Sequence, residues 1–301
     1  GRAQPNMKII LLGSSGMLGH DCKEILSKNH EIIAPSRNEM DITRWDEVIE
    51  TLQTILPDVV VNCAAFTDVD TCETEEFLVR KSNVEGPRNL AQGCARFGCK
   101  LVHISSDYIF DGQKMLPQPY FEDDSPAPLS AYGKSKMESE VAVRDNSPNY
   151  IIVRTSWLYG MNGDNYVKSI IRRAVQKDVK SLIAANDQFG SPTWTYRVSK
   201  QIAELLKIDG RGTYHATAEG HCTRQECTQA VLKKLKIKKK VEACSLRDFE
   251  TRANRPMNCI LENRMLKQQG INIMPAWRED LNAFLSEFGK KIVAEAKAAI
   301  S

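Results

Sequence analysis

No apolar run in these 301 residues approaches the roughly 18 to 20 that a helix needs to cross a bilayer. No basic-then-apolar leader with a small-residue cleavage site opens the sequence either, so neither secretion nor membrane insertion is expected. Charge of one sign is scarce too: 41 Lys and Arg against 38 Asp and Glu leave a formal +3, too little to hold nucleic acid. The nine cysteines run from Cys22 to Cys259 with no Cys-x-x-Cys pair, which fits buried thiols in the reducing cytoplasm better than a disulfide framework. His20, His30, His103, His215 and His221 are isolated as well, so no metal site is expected. Gly1 to Asn6 read as a vector remnant ahead of Met7.

What is present is alternation. Short β-branched runs at Lys8 to Leu12, Glu31 to Ala34, Asp58 to Asn62, Lys100 to Ile104, Tyr150 to Val153 and Ser181 to Ala184 alternate with amphipathic stretches. Those stretches predict helices near Leu18 to Ser27, Arg44 to Leu56, Glu75 to Phe97, Ala131 to Val143 and Asn165 to Gln176, the second capped by Thr43 with Asp46. The near-continuous Val, Ile and Leu content of the runs implies strands covered on both faces. The fold class is therefore α/β, a doubly wound parallel sheet of the Rossmann type over residues 7–185. Residues 186–288 are expected to form mainly a smaller C-terminal substrate-binding lobe. It would hold a strand at Thr213 to Ala216, a helix from Arg224 to Leu235, a polar stretch through Arg252 and a last helix after Pro275. Residues 289–301 read as a frayed or disordered tail, and the six lysines of Lys233 to Lys240 as a solvated helix end, with an anion-binding patch as the alternative.

Two motifs carry chemistry. The first apolar run leads into Gly13-Ser14-Ser15-Gly16-Met17-Leu18-Gly19, a strand-turn-helix setting in which glycines let a pyrophosphate approach the backbone and the helix N-terminus. The second run ends in Ser36-Arg37 rather than an acidic residue; a guanidinium and a hydroxyl suit a 2′-phosphate, which favours NADP(H) over NAD(H). Asp41 and Ile42 are placed to contact adenine, although Arg37 also has a plainer reading as an exposed loop residue. Farther on, Ser105-Ser106-Asp107 ends the fourth run, and Tyr132 stands one helical turn before Lys136. Such a pair can act as a proton donor with a charged neighbour, and together the motifs imply a nicotinamide-dependent enzyme acting on a carbonyl or an alcohol. Spacing alone is weak, because Tyr196 and Lys200 repeat it; that pair follows no strand ending in a hydroxyl residue and reads as part of a surface or lobe helix.

Further segments are distinctive: Val61 to Asp70 with Phe66, Asn83-Val84-Glu85-Gly86, Ser105 to Gly112, Arg154-Thr155-Ser156-Trp157, Asn186 to Thr193, and Arg255-Pro256 with Asn258. With these, the glycine loop and Tyr132 to Lys136, the chain from about Met7 to Phe288 resembles the dTDP-4-dehydrorhamnose reductase family of the extended short-chain dehydrogenase/reductases. Ser106 stands where the family often has Thr, and Cys259 where it has Ser.

The resemblance implies a cytoplasmic, NAD(P)H-dependent reductase of the 4-keto group of a nucleotide-linked 6-deoxy sugar, a monomer or homodimer. It implies Ser106, Tyr132 and Lys136 as catalytic residues, with Tyr132 as proton donor and Lys136 lowering its pKa and holding the nicotinamide ribose. Gly13, Gly16, Met17, Leu18, Gly19, Ser36, Arg37, Asp41, Ile42, Ala64 and Ala65, with Tyr132 and Lys136, would hold the cofactor. Thr67, Val69, Ser106, Asp107 and Trp157 would surround the substrate, and Asn83 would order a water or backbone near Lys136. Trp157 also has a reading as a core aromatic. Tyr108 stands where dehydratases of the superfamily carry a Glu, which favours reduction over elimination. An epimerase, a related deoxysugar reductase and a non-catalytic nucleotide-binding regulatory subunit of the same fold remain alternatives.

Overall fold

A computed structural model describes residues 6–65, 67–249, 251 and 253–301; Gly1 to Pro5, Phe66 and Arg252, named above, lie outside them. Alternation along the first strands builds two cores at once. On one face of the sheet Ile9, Leu11, Val59, Val61, Val102 and Val153 pack together; on the other, Ile10, Leu12, Val60, Leu101 and Ile152 do. The strands are β1 (Lys8–Leu12), β2 (Glu31–Ile33), β3 (Val59–Asn62), β4 (Lys100–Ser106) and β5 (Tyr150–Thr155). Between them lie α1 (Met17–Leu26), α2 (Trp45–Ile55), the short α3 (Val69–Cys72) and α4 (Glu76–Arg80), α5 (Gly86–Phe97) and α6 (Ala131–Asn146). Helix α1 covers one face, and α2, α5 and α6 the other.

The rest of the chain forms β6 (Leu158–Tyr159), α7 (Tyr166–Ala174), β7 (Ser181–Ala185), β8 (Phe189–Gly190), β9 (Thr193–Trp194), α8 (Thr195–Lys207) and β10 (Gly212–His215). It ends with β11 (Cys222–Thr223), α9 (Arg224–Leu235), β12 (Lys240–Cys244), α10 (Arg264–Gln268) and α11 (Trp277–Ala298). The main sheet has six strands in the order β10-β5-β4-β3-β1-β2, and every pairing in it is parallel. That is the doubly wound α/β fold, and it directs the carboxyl ends of β1, β3, β4 and β5 toward one crevice.

Several expectations change. Ser181 to Ala184 is a strand, but it pairs with β12 in a separate two-stranded sheet rather than extending the main one. The sixth main strand is instead β10, whose Tyr214 and His215 are buried beside β5, so a segment expected in the smaller lobe returns to the main sheet. Thr43 caps nothing: its amide and hydroxyl both donate to Asp41 Oδ1, at 3.0 and 2.7 Å, and Arg44 takes the N-cap position of α2. The helix expected over Glu75 to Phe97 is interrupted by one wide turn at Lys81–Glu85. The tail is neither frayed nor disordered, because α11 runs to Ala298 and buries Ile292 and Ala296 in a third core with Tyr159, Trp194 and Phe284. The polar stretch before Arg252 includes β12, and the lysine run spans the end of α9, a left-handed turn at Lys236 and the start of β12.

Candidate functional site

β1 turns into α1 through Gly13, whose φ of +75° suits glycine and whose missing Cβ would lie 2.7 Å from the Ala64 nitrogen. The turn brings the ends of β1 and β3 together. A cleft of about 420 Å³ opens there, lined by Gly13 to Gly16, Ser36, Arg37, Asp41, Ile42, Cys63, Ala64 and Ala65. Close backbone and a helix N-terminus suit a pyrophosphate, and the exposed Arg37 suits a further phosphate on the ribose, so these residues fit an NADP(H) molecule. Ser36 is also tied into its own turn, since its amide donates to Glu39 Oε1 at 3.0 Å.

A second cleft of about 530 Å³ shares Gly16, Cys63, Ala64 and Ala65 with the first. Met17, Leu18, Gly19, Thr67, Val69, Ser106, Asp107, Tyr132, Lys136 and Trp157 line it. Every catalytic, cofactor and substrate residue expected from the sequence therefore falls on one of two clefts that share a wall, while Asn83 is buried and lines neither. Tyr132 arrives there because Ser130 caps α6, its hydroxyl accepting from the Gly133 amide at 3.1 Å. The Tyr132 carbonyl accepts from Ser135 Oγ at 2.7 Å, and Asn83 donates to that hydroxyl at 3.1 Å. Below, Arg154 holds Glu140 with two bonds of 2.7 and 3.0 Å, and Ser105 donates to the same carboxylate at 2.5 Å. This fully buried pair joins α6, β5 and β4 just beneath Ser106.

The electrostatics depart from one expectation. Burial raises the Tyr132 phenol above its ordinary value and Asp107 adds to the rise, while the Ser106 hydroxyl pulls it back. The Lys136 ammonium donates to the Ile104 carbonyl at 2.8 Å. Burial draws Lys136 itself down to about 8, against the upward pull of Glu140 and Cys63. It pushes Asp107 up to about 6, against Cys259, Ser156 and Ser106. Asp107 and Ser156 both line this cleft, and Ser106 Oγ donates to Asp107 Oδ1 at 3.2 Å.

Other residues escaped the sequence reading. Arg224 lines the second cleft, its guanidinium 3.7 Å from the Trp157 ring centroid and 4.3 Å from that of Tyr166. A cation at the first position of a helix opposes the helix dipole, and that misplacement was the available signal. Trp157, for which a core role stood open, has φ +48° and lines the cleft; a side chain on Gly190 would meet its ring at 2.5 Å. Gln188 donates to the Pro256 carbonyl at 3.1 Å, which ties the Asn186 to Thr193 segment to Arg255-Pro256. Lys200 sits 4.8 Å over the Tyr196 ring on α8, away from both clefts. On α1, His20, Asp21 and Glu24 gather potential metal ligands within 4.8 Å of one another, a grouping that the scattered histidines did not suggest.

Comparison with known proteins agrees with this geometry. The family model described as the RmlD substrate binding domain matches residues 7–290. The spore coat polysaccharide biosynthesis protein SpsK of Bacillus subtilis is 33% identical over 281 residues, 93% of this chain and 97% of its own. A dTDP-4-dehydrorhamnose reductase structure from Clostridium acetobutylicum superposes with a TM-score of 0.90 at 36% identity, covering 94% of this chain and 100% of that one. One from Bacillus anthracis in complex with NADP gives 0.89 at 36% identity, with the same coverage. With a matched family model over nearly its whole length and this architecture, the chain belongs to the dTDP-4-dehydrorhamnose reductase family.

Proposed function

We propose that this protein uses NADPH to reduce the 4-keto group of a dTDP-linked 6-deoxy sugar, with Tyr132 giving the carbonyl oxygen its proton. The observation that carries this reading is the meeting of Ser106, Tyr132 and Lys136 in one cleft that continues into the glycine loop. The nicotinamide supplies the hydride when bound; the chain supplies everything that positions and protonates. The Tyr132 phenol is protonated at neutral pH and so holds the proton that a donor must give. A developing alkoxide is a stronger base than a phenolate, so the transfer runs downhill. Ser106, facing the phenol, is placed to hydrogen-bond the same oxygen and stabilise its growing charge.

Lys136, drawn to about 8, remains largely charged at neutral pH and is placed to hold the ribose at the cofactor end. Asp107 and Ser156 line the same cleft and are available to the sugar hydroxyls. The lobe expected over residues 186–288 contributes Arg224 to this wall, and Cys259 behind Asp107. Arg37 supports NADPH over NADH. Spectrophotometric NADPH oxidation with 4-keto-6-deoxy sugar nucleotides, and mass spectrometry of the product, test this reading. Turnover with a mass gain of two hydrogens supports it; no oxidation with any such sugar, beside tight NADP binding and a stable protein partner, would replace it with the regulatory-subunit reading.

A further inference from the structure

Arg224 is charged, lies in the substrate cleft and has no ion-pair partner among the described residues. Its Nε donates to Gln188 Oε1 at 3.4 Å, and neither Nη atom donates to a described protein acceptor. The guanidinium is held between the Trp157 and Tyr166 rings, at 3.7 and 4.3 Å from their centroids. Stacking of this kind fixes the plane of the fork while leaving its outer edge open to a planar or tetrahedral anion.

The neighbouring cations are committed elsewhere. Lys136 donates to the Ile104 carbonyl, and Arg255 makes a two-bond pair with Asp70 at 3.0 and 3.1 Å. Asp107 and Ser156 line the same cleft, so a ligand seated there meets them together with Arg224. A sugar linked through a diphosphate would bring negative charge into this cleft, and Arg224 is the uncommitted group there that answers it.

We propose that Arg224 binds the diphosphate of the substrate and so restricts the enzyme to nucleotide-linked sugars. This rests on the nucleotide-sugar reading of the cleft. The competing role is a brace that only keeps Trp157, in its left-handed conformation, against Tyr166. A brace would affect all ligands of the cleft alike; an anchor affects those that carry the diphosphate.

The experiment is calorimetric titration of the NADP-saturated wild type and Arg224→Gln with thymidine diphosphate and with thymidine. The anchor predicts that the substitution weakens diphosphate binding by about 10- to 100-fold, leaves thymidine and NADP affinity unchanged, and raises KM for the sugar nucleotide more than it lowers kcat. Equal losses for both ligands, unchanged diphosphate binding, or no diphosphate binding by the wild type would each overturn the inference. If the Gln variant does not fold, Arg224→Lys decides, since losing the fork must weaken the diphosphate more than thymidine, and equal effects overturn the proposal. Failure of the functional reading has a different signature: a wild type that binds the diphosphate through Arg224 yet reduces no 4-keto sugar nucleotide.

Discussion

The ring of Tyr108 stands edge-on to that of Tyr132, with centroids 5.7 Å apart and planes crossing at 80°. Tyr108 thus does two things at once. It leaves no carboxylate base where a dehydratase would need one, and it limits where the proposed donor can point. Replacing Tyr108 with Ala should lower kcat about tenfold while leaving NADPH affinity intact, because edge-to-face pairs contribute about 0.5–1.5 kcal/mol and fix geometry. Single-turnover kinetics with a separate NADPH titration check this; an unchanged kcat would remove Tyr108 from the positioning of Tyr132.

The Asp107 carboxyl is lifted to about 6 by burial. A folded-state pKa above the unfolded value near 3.8 means that stability is present at low pH and lost as pH rises through about 6. Asp107→Asn, which cannot ionise, should therefore raise Tm by several degrees at pH 8, on the order of 2 kcal/mol, and by little near pH 4, while turnover falls. Thermal melts at the two pH values decide, and an equal change at both would contradict the assignment.

Arg37 lies exposed on the cofactor cleft beside Ser36. Arg37→Ser should raise KM for NADPH about 10- to 100-fold and leave KM for NADH nearly unchanged. Parallel kinetics with the two cofactors test it, and equal effects would return Arg37 to a simple loop residue.

Arg154 and Glu140 are fully buried, and each carries the other's charge. Glu140 also accepts from Arg144 Nη1 at 3.2 Å, but that side chain is a third exposed, so Arg154→Met removes the buried partner and should destabilise by about 3 kcal/mol, enough to measure by denaturant unfolding. A change below about 1 kcal/mol would mean that the site's foundation does not depend on this pair.

Local signals made the cofactor half legible. Gly13 to Gly19 sits between an apolar strand and an amphipathic helix, and Ser105 to Asp107 ends another strand, so short sequence spans placed them correctly on one crevice. Long-range pairing was not legible: nothing near Ser181 reveals that it pairs with Lys240, nor near Gly212 that it lies beside Ile151. Arg224 was missed for the same reason, since its aromatic partners are Trp157 and Tyr166, far back in the chain. Burial dominates the Tyr132 phenol, and that depends on packing from distant segments that the Tyr132–Lys136 spacing does not reveal.

Proton donation by Tyr132 is tested most directly by NADPH oxidation in Tyr132→Phe, measured with a 4-keto-6-deoxy sugar nucleotide alongside NADPH affinity. A donor role predicts a loss of about 10²- to 10⁴-fold in kcat with NADPH binding unchanged. A variant that keeps most of its turnover would contradict it.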